Sequence, residues 1–211
     1  MAFPWVEFLG LMLAFGIGAV APGPDFAMVL RQSIAHGRQA AIFTSAGIAS
    51  SILVHGTYTL LGIGLVVSQS ILLFSILKFA GAAYLVWLGI AALRAPAPKP
   101  PAEIDAPARR VMGPGRAFGI GFLTNLLNPK AVVFFLALFT TLVQAGTALE
   151  YKVFYVLSMS AMLLVWFVLV SLFFTTPKVR EGFYRSGQWF NRATGAALIF
   201  LAVRVAVTRQ N

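Results

Sequence analysis

Two short stretches hold the residues from which chemistry can be built: Pro22-Gly23-Pro24-Asp25 and Asn128-Pro129-Lys130, each inside a long apolar segment. Asp25 brings an acceptor with negative charge, and Lys130 brings a donor with positive charge. Proline removes a backbone donor and glycine loosens a helix, so each stretch frees carbonyls and amides from intrahelical partners. A half-helix starting at Pro24 or Pro129 then offers amides at the positive end of its dipole. An acid, an amine and such amides match a molecule that carries an ammonium and a carboxylate a few ångströms apart. A zwitterionic amino acid is the obvious candidate. Asp25 would take its ammonium, while Lys130, Asn128 and the amides of the second half-helix take its carboxylate. Gly23, Pro24 and Pro129 shape the two breaks, and Asn125 with Thr124, one turn before Asn128, are further lining residues.

Plainer readings stand beside this one. Asp25 and Pro24 suit the first turn of a helix that merely kinks. Asp25 and Lys130 can also neutralise each other, and that pairing is the expectation for the empty site. It does not exclude binding, because a zwitterion can replace each partner of an ion pair. His55, the one histidine in the middle of a span, reads first as a buried neutral group hydrogen-bonded to a neighbouring helix. Its second reading is proton coupling together with Asp25, since imidazole titrates near neutral pH. A hydrolase built from His55 with Ser50 or Ser51 would leave both helix breaks without a purpose. The chain has no cysteine, so thiol redox and thiolate metal chemistry are excluded. One acid and one histidine are too few for a metal-efflux site. The expectation is therefore a protein that is not an enzyme, with no cofactor and no metal.

These residues need elements that can hold them inside a bilayer. The 211 residues are 59% hydrophobic and 10% charged, with a mean hydropathy of +0.86, where a soluble domain carries about 25% charge. Such a chain is an integral membrane protein, with segments long enough to cross. The first covers about residues 5 to 30, broken at Pro22 to Pro24. Ala19-Val20-Ala21 imitates a cleavage site, but no basic region precedes it and the apolar run continues, so this segment reads as a retained span. The second runs from 40 to 67 and the third from 71 to 93. The stretch 94–116 holds six of the eleven prolines and five arginine or lysine residues, which predicts a basic cytoplasmic linker. Three further segments follow, at 117–145 (broken at Asn128-Pro129), 150–175 and 189–207.

The expected fold is an all-α membrane protein of six transmembrane helices. Residues 1–93 form one three-helix repeat and 117–211 the second, with helices 1 and 4 broken. Setting Pro24 on Pro129 also sets Gly16 on Gly121 and Asp25 on Lys130. Setting Gly81 on Gly195 aligns Gly-Ala-Ala with Gly-Ala-Ala. Three spans is an odd number, so the second copy enters upside down, and the two breaks meet at a pseudo-two-fold axis in the membrane plane. Ten of the sixteen lysines and arginines fall in the segments 31–38, 94–116 and 177–188. That side is expected to be cytoplasmic and both termini periplasmic, although Arg204 and Arg209 lie near the C-terminus. Positive-inside topology accounts for the net charge of +10 without nucleic acid. Trp5, Tyr151, Tyr155 and Trp189 read as interfacial anchors, Trp87 and Trp166 as packing, and Gly115 with Gly119 as a small-residue helix contact.

The chain resembles the LysE/RhtB family of bacterial amino-acid efflux proteins over nearly its whole length. The resemblance is carried by Ala21-Pro22-Gly23-Pro24-Asp25, by Lys78-Phe79-Ala80-Gly81-Ala82-Ala83-Tyr84-Leu85 with Trp87-Leu88-Gly89, and by Gly121-Phe122-Leu123-Thr124-Asn125 leading to Asn128-Pro129-Lys130. It implies export of amino acids across the bacterial inner membrane, driven by the proton gradient. Members differ in whether the substrate is basic or neutral. Apart from Asp25 and Glu7 the spans offer no carboxylate, which favours a neutral substrate of homoserine, threonine or leucine type. The partners so implied are an amino acid and the lipid bilayer, with a homodimer as an option and no nucleic acid. The rivals are a transporter of another small solute or cation and a non-catalytic membrane scaffold.

Overall fold

The structure, a computed structural model, describes residues 3–96, 112–174 and 176–207, and the described residues form eight helices. Helices α1 (Trp5–Val20) and α2 (Pro24–His36) follow one another across a bend of 54° at residues 21–23. Pro24 occupies the first turn of α2 and supplies no amide, so the helical ladder restarts only at Ala27, whose N–H bonds the carbonyl of Gly23 at 2.9 Å. The pair α5 (Pro114–Leu126) and α6 (Pro129–Leu142) repeats the device with a bend of 60°. Here the Asn128 side chain caps α6, accepting from the amide of Lys130 at 3.1 Å. Each member of a bent pair has at most 16 residues, too short to cross a bilayer alone, so a pair either makes one broken span or re-enters on the side it came from.

Helices α3 (Arg38–Gln69), α4 (Ile71–Arg94) and α7 (Leu149–Phe173) are long and apolar enough to cross unaided. With the two bent pairs the described residues give three to five candidate spans. The sixth expected span lies in α8 (Pro177–Val207), which begins twelve residues earlier than the sequence suggests. Pro177 starts it, and no later proline interrupts it, so the charged run from Lys178 to Arg192 becomes helix instead of loop. Of the linker expected at 94–116, Arg94 ends α4 and Pro114 opens α5, while residues 97–111 lie outside the described residues.

In a membrane the hydrophobic effect does not drive helices together, so close backbone contact and polar clasps must. The closest crossing is that of α3 on α5. A β-carbon at Gly47 would overlap the carbonyl of Phe118, and one at Gly121 would overlap the carbonyl of Thr44. Thr44 Oγ1 meanwhile donates to the carbonyl of Ala117 at 3.1 Å. Helices α4 and α8 approach in the same manner, Gly89 against Gly195. Gly115 and Gly119, expected to make such a contact, have open space at their β-positions; the register that meets α3 is that of Gly121. Ser45 to Ser171 (3.1 Å) and Ser160 to the carbonyl of Ala49 (2.8 Å) tie α3 to α7. Gly121→Leu is expected to force α3 and α5 apart and lower stability by about 3 kcal/mol. Thermal unfolding of the detergent-solubilised protein checks this; an unchanged midpoint would refute the crossing.

Two aromatic expectations are corrected. Tyr155 is fully buried against Phe3 and Phe8, so it is not an interfacial anchor. Trp87 is 60% exposed, stacked on Tyr84, so it does not pack in the core. Both are facts of helix rotation, which the apolar all-round spans do not encode.

Candidate functional site

The two helix breaks face each other. Asp25 on the first turn of α2, Asn125 on the last turn of α5, Asn128 at the second break and Lys130 on α6 line one cavity of about 60 Å³, together with Gly23 and Pro24. Its remaining wall is apolar: Phe15, Phe26, Ile52, Phe134, Phe135, Leu163 and Phe167 among others. That volume holds a few waters. Pro129 borders a second, neighbouring cavity instead. Thr124 turns its hydroxyl back onto its own helix, at 2.7 Å from the carbonyl of Ile120.

Asp25 is held on one side only. Its Oδ2 accepts from Asn125 Nδ2 at 2.8 Å and, at the long end of the range, from Asn128 Nδ2 at 3.5 Å. Its Oδ1 is buried with no hydrogen-bond partner among the described residues. Lys130 makes no ion pair with Asp25 within 4 Å, so the direct neutralisation expected for the empty site is absent. The hydrogen bonds to Asp25 come instead from the Asn125 and Asn128 amides. The Lys130 ammonium lies instead beside Gly23, 3.5 Å from where a β-carbon would stand.

Asn125 links this site to α3. Its Nδ2 must face Asp25, because an ionised carboxylate accepts only. That fixes Oδ1 toward α3, where it receives Ser51 Oγ and His55 Nε2 (3.1 Å). The assignment makes Nε2 the protonated nitrogen of His55 and leaves Nδ1 to accept from the hydroxyl of Tyr58 at 2.7 Å. A chain of hydrogen bonds therefore runs from Asp25 through Asn125 and His55 to Tyr58, which is 38% exposed. Ser51 and His55 both turn to Asn125 instead of to each other, so these two do not form a serine–histidine dyad.

The sequence reading placed Gly23, Pro24, Asp25, Asn125, Asn128 and Lys130 together, and the cavity does so. His55 stands behind the cavity, bonded to its wall and not lining it. Ser51 as a partner of Asn125, Tyr58, and the aromatic wall of Phe134, Phe135 and Phe167 were missed. Ser51, His55 and Tyr58 are spaced by four and three residues, one face of a helix, and that spacing was the available signal.

Comparison with known proteins follows the same outline. A family model described as LysE type translocator matches residues 16–209. The chain is 31% identical over 207 residues to the threonine efflux protein of Salmonella typhi, covering 94% of this chain and all of that one. The threonine efflux protein of Escherichia coli (strain K12) is 29% identical over 204 residues, covering 96% and 98% of the two chains. A homoserine/homoserine lactone efflux protein of Salmonella typhimurium is 36% identical over 140 residues, covering 66% of this chain and 65% of its own. No solved structure matches the chain.

Proposed function

The chain belongs to the LysE type translocator family, and from that membership we propose that it exports neutral amino acids across the bacterial inner membrane, binding them between the two helix breaks. Relatives named as threonine and homoserine efflux proteins put amino-acid export in the class. The observation that carries the site is the half-satisfied Asp25: one carboxylate oxygen is fixed by two amides and the other is buried with no hydrogen-bond partner. A buried acceptor left in that way is costly, and an ammonium group supplies what Oδ1 lacks. Lys130 stands across the same cavity for the carboxylate, assisted by the positive N-terminal end of α6. The absence of a second acid in the wall argues against lysine-like substrates, whose extra ammonium would be buried unpaired.

The rest of the proposal is mechanical. Two three-helix halves, inserted in opposite senses, alternate between openings to either side. Equivalent contacts support it: α3 meets α7, α4 meets α8, and α1 meets α7 as α5 meets α3. Against a perfect repeat, Gly195 meets Gly89 while Gly81 meets Ala137 and Thr140 of α6. The basic segments face the cytoplasm and both termini the periplasm. Export runs against proton entry, with Asp25 as the group that exchanges a proton for the substrate ammonium. His55, through Asn125, holds the carboxylate's hydrogen-bond donor in place and responds to its charge.

Purified protein in vesicles under an imposed pH gradient is expected to move labelled threonine, homoserine or leucine at least ~10-fold faster than lysine or arginine. Movement of none of the five would defeat the proposal.

A further inference from the structure

Next to the site lies a larger cavity of about 510 Å³, framed by the end of α1, the second half of α4, the start of α6 and the middle of α8. It reaches Ala95 and Asn191, at the end of the bundle where α4 terminates, and Tyr84, Trp87 and Thr194 line it as well. The two cavities share four wall residues: Gly18, Ala21, Lys130 and Phe134. Asp25, Asn125 and Asn128 border only the smaller one. Lys130 is the single charged residue on the wall of the larger one.

Of the four shared residues, Phe134 contributes the one aromatic ring to both walls. Phe134 is 8% exposed and seated on Gly18, so closely that a β-carbon at position 18 would overlap two atoms of the ring. Glycine here gives the ring a flat seat on α1 itself. Phe134 lies one helical turn beyond Lys130 on α6, so the ring and the ammonium stand on one face of the same helix. Space is available on both sides of the ring, and a phenyl group needs only a side-chain rotation to use it.

We propose that the larger cavity is the vestibule through which the amino acid reaches the site, and that Phe134 on Gly18 is the gate between them. The proposal rests on the reading of the inner cavity as the substrate site. It adds an order of events: the substrate's carboxylate meets Lys130 from the vestibule, the Phe134 ring swings off Gly18, and only then can the ammonium reach Asp25. Lys130 belongs to both compartments, so the carboxylate stays paired while the molecule passes the ring. Phe134 is in this sense a positioning residue that decides when Asp25 becomes accessible.

The chain has no cysteine, so single cysteines report access directly and without any substrate. Ala131→Cys places a thiol on the wall of the inner cavity alone, and Ala92→Cys places one in the vestibule. Reaction of purified protein with a small, charged methanethiosulfonate is expected to be fast at Ala92→Cys in every background. At Ala131→Cys it is expected to be slow, and to rise at least ~10-fold when Phe134→Ala is added. Gly18→Ala, a mild helical substitution that unseats the ring, is expected to raise it as well and serves if Phe134→Ala does not fold. An unchanged Ala131→Cys rate in the folded variants, with Ala92→Cys still labelled, would overturn the gate. Because no amino acid is present, that result would stand apart from a failure of export in vesicles.

Discussion

Asp25→Asn is expected to cut amino-acid export at least ~30-fold while leaving the protein folded. The substitution keeps the shape of the side chain and an oxygen that Asn125 and Asn128 can still reach, at the 2.8 and 3.5 Å now seen. What it removes is the charge. Leaving one member of a buried hydrogen-bonded charge pair without its partner costs roughly 2 to 5 kcal/mol, which is about 30- to 5,000-fold in affinity for the ammonium. Stability should move the other way. An acid held within the membrane costs about 2.5 to 3.5 kcal/mol on insertion scales, so the thermal midpoint of the asparagine variant should equal or exceed that of the native chain. This opposition of sign separates a transport site from a scaffold, in which Asp25 would matter for folding alone. The proton-exchange role adds a second readout: whatever flux remains should lose its dependence on the pH gradient. Native export rates in a well-folded Asp25→Asn variant would end the assignment.

Lys130→Gln is the second large effect, and its signature is selective. The side chain lies 3.5 Å from the β-position of Gly23 and borders both cavities, so its ammonium is placed for the carboxylate end of the substrate. The expected result is a rise in KM of about 100-fold, the loss of one charge-assisted contact worth roughly 1.5 to 3 kcal/mol. Amino-acid methyl esters, which keep the ammonium and lack the carboxylate charge, give the control. As competitors they should be weakened by Asp25→Asn and left nearly unchanged by Lys130→Gln. Equal weakening of the ester by both variants would show that Lys130 acts through Asp25 and not on the substrate. A double variant no worse than Asp25→Asn alone would say the same.

Particular residues show why parts of this were legible in the chain and parts were not. Pro24 and Pro129 act locally: a missing amide ends a helix wherever the residue stands, so both breaks were readable and lie within a residue or two of where they were expected. The same holds for Asp25 and Lys130, because a charge in an apolar segment is conspicuous without any knowledge of its neighbours. The partner of Asp25 was not readable. Two amides hold it, and Asn125 is one hundred residues away in sequence; an asparagine in a span is more often a packing contact, and nothing local sets it apart. His55 was legible as a polar group needing a partner, yet the identity of that partner was not.

By itself the sequence determined composition-level and local facts: a helical membrane protein with two interrupted apolar segments and two opposite charges at the interruptions. Backbone hydrogen bonding forces this, since in hydrocarbon each amide must be satisfied by its own helix or by a protein-lined cavity. Tertiary structure decided which faces meet. It seated Gly121 in place of Gly115 and Gly119 against α3, turned Tyr155 inward and Trp87 outward, gave Asp25 to asparagines instead of Lys130, and laid Phe134 on Gly18. Those outcomes depend on helix rotation and on contacts between distant segments, and spans that are apolar on every side carry no periodic signal from which rotation can be read.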